Sequence, residues 1–395
     1  MDLQTIITIL LVLILCVFLA IHRKEVKLQK IAFPLLYLIL YRSQLGVAAM
    51  GKMARRFSKP LKYLGYAGVI IGFIGMVVIS ISLVQSIITL LTTPTAQAGV
   101  ALVLPIKAKG IFYTPPLYWL LSIFFIAVIH EFSHGVIARR YHLKVESSGF
   151  AFFSILIPLI PVAFVEPNEK SMAKKSARIQ LSVFAAGPFS NILAAGVILL
   201  LSIFLINPVL GKVVQEDGVQ ITGFVNESSM AFPAEKAGIG KGEVIRQIDN
   251  IPIASVENFT ALLETKKPGE QISIFTNRTS YHVVLAANPE HADKAYLGVY
   301  VTQHTKMKEK FIAQYGRWTG EFIVWVGGLF FWLFLLNLGI GLFNLVPLGP
   351  IDGGRMLKTA LEHFFPQQKA IKYWKFISMV FLGLIVVNIL FAFMR

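Results

Sequence analysis

The chain has 395 residues, of which 55% are hydrophobic and only 15% are charged, a balance outside the soluble globular range and typical of an integral membrane protein. The formal net charge is +16 at pH 7, but the cations cluster in loops beside apolar runs, where they indicate topology, so we predict no nucleic-acid partner. The single cysteine, Cys16, excludes an intrachain disulfide and a thiolate zinc site, so any metal ligands must be His or carboxylate.

The N-terminal region carries long apolar runs joined by a strongly basic segment. Residues 3–21 can span a bilayer and precede several cations, the pattern of a signal anchor whose N-terminus lies outside. Residues 31–41 are apolar but short and contain a proline, so we expect them to lie at the membrane interface or to enter it partway. Residues 63–91 carry no charge and predict a tilted helix that runs outward. The basic segment 23–62 is therefore expected in the cytoplasm, and residues 96–116 form an outer loop with some strand character.

A His-Glu-x-x-His motif lies inside the next apolar run, residues 117–138. In a helix the i, i+4 spacing places His130 and His134 on one face, where both imidazoles can bind one metal ion, while Glu131 is free to act as a base. Ionisable groups at membrane depth are energetically costly, which favours a functional site over a chance match. Cations follow the run, so we expect the motif in the cytoplasmic half of a helix that runs inward.

The region after this helix carries an interrupted apolar stretch and then another span. Residues 149–165 contain two prolines and have basic loops on both sides. A full crossing would place those loops on opposite faces of the membrane, so we predict a re-entrant pair of strands. Residues 179–206 cross outward and contain Gly187-Pro188-x-x-Asn191, whose glycine and proline we interpret as a kink with close helix packing. Asn191 is a polar side chain in an apolar helix and needs a partner.

Residues 211–303 have the composition of a soluble module, with short alternating strands, turns and both signs of charge. The charge count places this region outside the membrane on the non-cytoplasmic side. Its segment 233–250 resembles the permuted PDZ domains of membrane-associated proteases, with a helix expected at 256–263 and later strands at 272–285. Such domains bind extended chain ends by adding a strand to their sheet. A module that only fills space or limits access sterically is the alternative.

A second stretch that carries a candidate metal ligand follows the helix predicted at residues 319–343. The prolines of segment 344–355 should unwind the helix, which frees backbone groups and the Asp352 carboxylate to face a cavity. Charge counting places this segment on the same side as the His-Glu-x-x-His motif, so Asp352 is the expected third ligand. A helix at residues 376–394 completes six crossings.

Two histidines and one carboxylate leave one zinc position open to water, the arrangement of a hydrolytic site rather than a closed structural one. Zinc lowers the pKa of its water toward ~7 and polarises a peptide carbonyl, while Glu131 would accept the water proton and pass it to the leaving amine. Glu166 is an alternative acid, although its position after the prolines of the re-entrant stretch favours a carboxylate in an interfacial loop.

Together these motifs resemble the site-2 protease family of intramembrane zinc metalloproteases, from Leu117 to the C-terminus. The resemblance covers the His-Glu-x-x-His helix, the re-entrant stretch, the Gly-Pro-x-x-Asn helix, the inserted PDZ domain and the Asn-x-x-Pro-x-x-Pro-x-Asp-Gly segment. The family usually has Leu before the Asp-Gly pair, where this chain has Ile351, a conservative change. The resemblance implies zinc at His130, His134 and Asp352, a base at Glu131, and substrate binding at Asn344, Pro347 and Asn191.

We therefore predict a polytopic α-helical membrane protein with about six transmembrane helices, a re-entrant β-like membrane loop and a small extracytoplasmic α+β PDZ domain. An accessory transmembrane region is expected at residues 1–116, and the PDZ domain at 211–303. The metalloprotease core is expected in two parts, at residues 117–210 and 304–395.

The resemblance implies an intramembrane zinc endopeptidase of the cell membrane whose active site faces the cytoplasm. Its substrates would be membrane proteins with a transmembrane segment, already shortened by another protease, and the PDZ domain would exclude those that keep large ectodomains. Deletion of residues 211–303 without a change in substrate range would exclude that role. One alternative is a zinc transporter or sensor, for which internal repeats and a second ionisable relay are not found. The other is an inactive PDZ-bearing scaffold, for which the presence of both histidines, the glutamate and the aspartate is unexpected.

Overall fold

The computed structural model describes residues 3–22, 26–32, 36–44, 46–93, 98–154, 158–225, 232–289 and 291–394 of the chain. The chain forms two compact units, one made of Met1–Ser202 with Gly328–Arg395 and the other of Ile203–Gly327.

The first unit begins with helices and strands that alternate along the chain. These elements are α1 (Leu3–Ile21), β1 (Val26–Ala32), β2 (Leu36–Ser43), α2 (Val47–Arg56), α3 (Ser58–Thr92), β3 (Leu102–Leu104), β4 (Ile111–Tyr113), α4 (Pro116–Arg140), β5 (Val145–Ser154), β6 (Pro158–Pro167), α5 (Glu169–Ala173) and α6 (Ala177–Leu201).

A π-helical turn, Ser202–Ile206, leads from α6 into the second unit. Its elements are α7 (Asn207–Val213), β7 (Val214–Phe224), α8 (Pro233–Lys236), β8 (Val244–Ile248), β9 (Ile251–Pro252), α9 (Val256–Glu264), β10 (Gln271–Thr276), β11 (Ser280–Val284), β12 (Ala286–Ala287), β13 (Ala295–Tyr296), β14 (Val299–Met307) and α10 (Glu309–Tyr315). Three helices complete the chain: α11 (Arg317–Phe343), α12 (Asp352–Phe364) and α13 (Gln367–Met394).

Six helices in the described part of the chain are long and apolar enough to cross a membrane, which confirms the predicted number. Their bounds are Gln4–Ile21, Ser58–Thr92, Pro116–Arg140, Ala177–Val213, Arg317–Phe343 and Gln367–Met394. Many of their Leu, Ile, Val and Phe side chains are exposed, as a lipid-facing surface requires. The last helix begins earlier than the predicted 376–394, so its first turns include the basic residues that precede the apolar run.

The predicted re-entrant strand pair is confirmed as the antiparallel hairpin of β5 and β6, in which Phe150 lies opposite Ala163. The sheet is larger than the sequence predicts, because β2 pairs with β5 and β1 pairs with β2, giving the order β1-β2-β5-β6. The stretch 31–41, expected as an interfacial segment, thus contributes to two strands. A hairpin alone would leave unpaired backbone groups on both edges, which is costly away from water. Strand β2 covers one edge, and the outer edge of β6 pairs with no other strand among the described residues.

Helix α3 packs against the helices that carry the site through glycines on one face. Gly65 and Gly68 contact α6, while Gly72 lies against Met356 of α12 and Gly75 against Leu345. Small residues at this spacing let helix backbones approach closely in a membrane. The sequence predicts no role for α3. Its contacts with α6, α12 and Leu345 show that it packs against the helices around the site.

The second unit contains a sheet with the strand order β11-β10-β8-β7-β14, and the short strand β9 pairs with β8. The helix predicted at residues 256–263 is α9, and the strands predicted at 272–285 are β10 and β11. Alternating strand residues and α9 enclose one apolar core, whose fully buried members include Val219, Ile221, Ile245, Ile248, Ile272 and Ile274. This arrangement agrees with the predicted α+β module, and residues 214–307 are called the PDZ-like module from here on.

Candidate active site

Helix α4 presents two histidines and a glutamate to a cavity of about 720 Å³. His130 and His134 lie one turn apart, with their ring centroids separated by 4.8 Å. The two residues are only 9% and 8% exposed, and they lie in one of the candidate membrane spans. The i, i+4 spacing therefore places both imidazoles on one face of the helix, as the sequence predicts.

Asp352 brings a carboxylate to the same point from the other end of the chain. Its Oδ2 lies 3.0 Å from Nε2 of His130 and 3.3 Å from Nε2 of His134. His130 and Asp352 are separated by 222 residues in sequence. The aspartate is the first residue of α12 and is 8% exposed, so the three side chains form one mostly buried cluster.

The proline-broken segment between α11 and α12 aims Asp352 at the histidines. Helix α11 ends at Phe343, as predicted from the prolines of the segment that follows it. The chain then turns back on itself. The Gly353 N–H donates a hydrogen bond to the Asn344 carbonyl, with the two atoms 2.7 Å apart. A Cβ at Gly353 or Gly354 would overlap the backbone of the turn. The two glycines after Asp352 are therefore needed for this close approach of one chain segment to another.

Helix α6 forms the third side of the cluster with residues at i, i+4 and i+8. The Nδ1–H of His134 donates to the Val183 carbonyl at 2.7 Å, which leaves the Nε2 lone pair of that ring free. Next along this face is Gly187, where a Cβ would overlap Nε2 of both His130 and His134. Asn191 follows, with its amide nitrogen 3.0 Å from Nδ1 of His130. The face of α6 thus supports both rings and leaves a space between their Nε2 atoms.

The cluster of His130, His134 and Asp352 fits a zinc ion in donor type and in spacing. One ligand atom from each residue lies within 4.8 Å of the others. Tetrahedral zinc with bonds of about 2.0–2.1 Å separates neighbouring ligand atoms by about 3.3 Å, close to the 3.0 and 3.3 Å measured here. The absent side chain at Gly187 provides room beside the two Nε2 atoms. In the described ranges, no other group of three His, Cys, Asp or Glu side chains has such a geometry.

Glu131 lies in the wall of the same cavity and is held by the re-entrant hairpin. Its Oε2 accepts a hydrogen bond from the Val165 N–H of β6 at 3.0 Å. This bond occupies one carboxylate oxygen and fixes the side chain beside the histidines, so the other oxygen is available for proton transfer. The hairpin therefore orients the predicted base.

The predicted substrate-binding residues lie in different places. Asn344 lines the cavity, and its amide donates to the Ile340 carbonyl at 3.0 Å. Pro347 is buried inside the turn and is not part of the cavity lining, whereas Pro350 of the same segment is. Asn191 is fully buried behind His130 and does not line the cavity. Of the three residues, only Asn344 is thus positioned for direct contact with a molecule in the cavity.

Glu166, the alternative acid, also lines the cavity but has other partners. It forms an ion pair with Arg42 of β2, with 2.7 Å between Nη2 and Oε1, and accepts a hydrogen bond from the Ser147 hydroxyl. This pairing favours the interpretation of Glu166 as a structural carboxylate that joins strands of the sheet.

Several features of the site were not predicted from the sequence. The sequence predicts only close helix packing for Gly187, although its i, i+4 relation to Asn191 places both residues on one face of the helix. The cavity wall also contains the basic side chains Arg355 and Lys358 of α12. The Arg355 guanidinium lies 5.8 Å from the centre of the Phe184 ring.

Comparisons with known proteins bear on most of the chain. Residues 118–386 match the family model described as Peptidase family M50. The chain is 26% identical over 230 residues to an uncharacterized protein from Methanocaldococcus jannaschii, covering 57% of this chain and 52% of the relative. It is 24% identical over 273 residues to the zinc metalloprotease RasP of Oceanobacillus iheyensis, covering 57% of this chain and 62% of the relative. The chain thus spans between half and two thirds of the length of these curated relatives.

A similarity to a solved structure covers a smaller part. The PDZ domain of the SdrC-like protein from Listeria monocytogenes is 20% identical and matches 22% of this chain and 88% of its own, with a TM-score of 0.19.

Proposed function

Because the chain belongs to peptidase family M50, the family of the site-2 proteases that its motifs resemble, we propose that it is an intramembrane zinc endopeptidase. It would hydrolyse peptide bonds within or near transmembrane segments of membrane proteins. The observation that carries the proposal is the convergence of His130, His134 and Asp352 beside the space at Gly187, with Glu131 in the same cavity wall.

The proposed mechanism assigns one task to each group. A zinc ion held by His130, His134 and Asp352 would supply a Lewis acid that polarises the scissile carbonyl and makes water nucleophilic near neutral pH. Glu131, fixed by the Val165 N–H, accepts a proton from the attacking water and donates it to the leaving nitrogen. The surrounding helices hold these groups in place before a substrate arrives.

The outer edge of β6 offers a surface for an unwound substrate. A transmembrane helix hides its carbonyls in its own hydrogen bonds, so it must unwind before attack. The Val165 N–H points toward Glu131 and away from β5, and outward N–H groups recur at every second residue of a strand, so the Ala163 N–H points the same way. We propose that substrate pairs along this edge and passes beside Glu131. Asn344 is available to hold a freed backbone group of the substrate.

Replacing Ala163 with Pro should lower kcat/KM for a helical substrate by roughly tenfold, because the strand edge loses a donor worth about 1 kcal/mol and part of its pairing geometry. Zinc content should stay at the wild-type level, since no metal ligand changes. Ala163→Ser keeps the N–H and serves as the control. Wild-type cleavage by A163P would mean that substrate does not pair along this edge.

The proposed orientation places the active site toward the cytoplasm and the PDZ-like module outside, because the basic loops flank the inner ends of the spans. In a Cys16→Ser background, a membrane-impermeant thiol reagent should label Lys241→Cys in intact cells and Lys174→Cys only after permeabilisation. The reverse pattern would contradict the orientation.

We also propose that the PDZ-like module excludes substrates with long ectodomains. Deletion of residues 211–303 tests this role, because it should widen the substrate range.

Replacing Asp352 with Asn tests the proposed function directly. An amide is a much weaker zinc ligand than a carboxylate, so D352N should lose at least about tenfold in zinc affinity and most of its cleavage activity. The purified full chain is incubated in detergent with a single-pass substrate, and bound zinc is measured by metal analysis. Glu362→Gln, which changes another carboxylate of α12 in the same cavity wall, is the matched control. Full zinc in D352N would show that another group supplies the third ligand.

A further inference from the structure

Asn191 has a partner in the site that its predicted role does not explain. The resemblance predicts substrate binding, but the side chain is 0% exposed and lies behind His130. Its Nδ2 is 3.0 Å from Nδ1 of that ring. Its Oδ1 is buried and has no hydrogen-bond partner in the part of the chain that the structure describes. A polar side chain is rarely kept in such a place without a function.

The geometry of the His130 ring determines what Asn191 must do. Nε2 of His130 faces Asp352 at 3.0 Å and borders the space at Gly187, so Nε2 is the nitrogen that can bind a metal. A metal-binding nitrogen carries no proton, so the ring proton must reside on Nδ1 and needs an acceptor. The side chain within hydrogen-bond distance of Nδ1 is that of Asn191.

The amide of Asn191 can supply this acceptor by a half-turn about its Cβ–Cγ bond. The oxygen and nitrogen of an amide have nearly the same shape, and the hydrogen-bond network decides which one occupies a given place. The half-turn brings Oδ1 to the position 3.0 Å from Nδ1 of His130. In the orientation seen here Oδ1 has no partner among the described residues, so the proton on the ring decides which amide atom faces Nδ1.

The second histidine of the pair shows the same arrangement. Nδ1–H of His134 donates to the Val183 carbonyl, which lies two helical turns before Asn191 on the same face of α6. We propose that Asn191 is a positioning residue for His130. Its Oδ1 accepts the Nδ1–H bond and fixes the tautomer and the ring plane, so that Nε2 points at the metal. This role rests on the proposed zinc site.

Substitutions at position 191 separate this role from simple packing. Asn191→Leu keeps the branching at Cγ but offers no acceptor, and zinc affinity should fall by about 10–100-fold, the usual cost of losing the outer partner of a metal-binding histidine. Asn191→Asp keeps an acceptor oxygen and should bind zinc nearly as well as the wild type. Asn388→Leu is the control, because Asn388 is equally buried but bonds to Ser86 and to the Leu384 carbonyl.

The experiment is a zinc titration of the purified full chain in detergent, in competition with a chromophoric chelator. The expected order is wild type, N191D and N388L close together, with N191L well below them. Wild-type affinity in N191L would overturn the role, and so would a tenfold or greater loss in N191D, which decides the question even if N191L does not fold. A wild-type protein without zinc affinity would instead overturn the zinc site itself, and with it the proposed function.

Discussion

Replacing Glu131 with Gln should lower kcat for cleavage of a single-pass substrate by roughly 10²–10⁴-fold, the usual contribution of a general base. Gln has the same shape, and its carbonyl oxygen can still accept the Val165 N–H bond that Glu131 accepts at 3.0 Å. It cannot take up a proton from water. Zinc content should stay near the wild-type value, because Glu131 is not among the three clustered residues proposed to hold the metal.

The matched control for E131Q is Glu166→Gln. Glu166 lines the same cavity but is paired with Arg42, so its replacement should change kcat by less than tenfold. Cleavage is followed by gel electrophoresis of the substrate, with bound zinc measured on the same samples. Equal rates for the wild type and E131Q, together with a large loss in E166Q, would transfer the role of the base to Glu166.

Replacing Gly187 with Ala should reduce zinc affinity by at least roughly 100-fold. The added Cβ would overlap Nε2 of both His130 and His134, so the two rings would have to move out of their binding positions. Zinc binds only where its nitrogen ligands lie within about 0.2 Å of the bond distance of about 2.0–2.1 Å, so displaced rings would hold the ion poorly. Cleavage should disappear together with bound zinc.

The control for G187A is Gly196→Ala in the same helix, where a Cβ would meet no atom within 4 Å. Ala also favours a helix over Gly by about 1 kcal/mol, so G196A should bind zinc as the wild type does and be no less stable. If G187A matched G196A in a zinc titration, the space between the two rings would not be the metal position.

The sequence predicted those parts of the site that depend on local periodicity. The i, i+4 spacing of His130 and His134 is a property of one helix, and the prolines after α11 end that helix at Phe343 as expected. The charges of distant loops predict Asp352 as the third ligand, because two residues can meet only if they lie on the same side of the membrane. Each of these features depends on a single helix or on the side of the membrane where a segment lies.

The unpredicted features depend on contacts between distant segments. Strand β2 pairs with β5 in a register that joins Tyr37 to Ser154, and nothing local in residues 31–41 specifies a partner more than a hundred positions away. The role of Gly187 is likewise set by what its missing side chain would touch. Asn191 was recognised as needing a partner, but only the structure identifies that partner as Nδ1 of His130.

The proposed metal site combines two histidines from one helix with an aspartate 222 residues further along the chain than the first of them. Zinc K-edge X-ray absorption of the purified wild-type protein tests this claim most directly. We expect one zinc per chain, bound by two imidazole nitrogens and otherwise by oxygen, at about 2.0–2.2 Å. A protein without zinc, or a spectrum with sulfur ligation or without imidazole scattering, would contradict it.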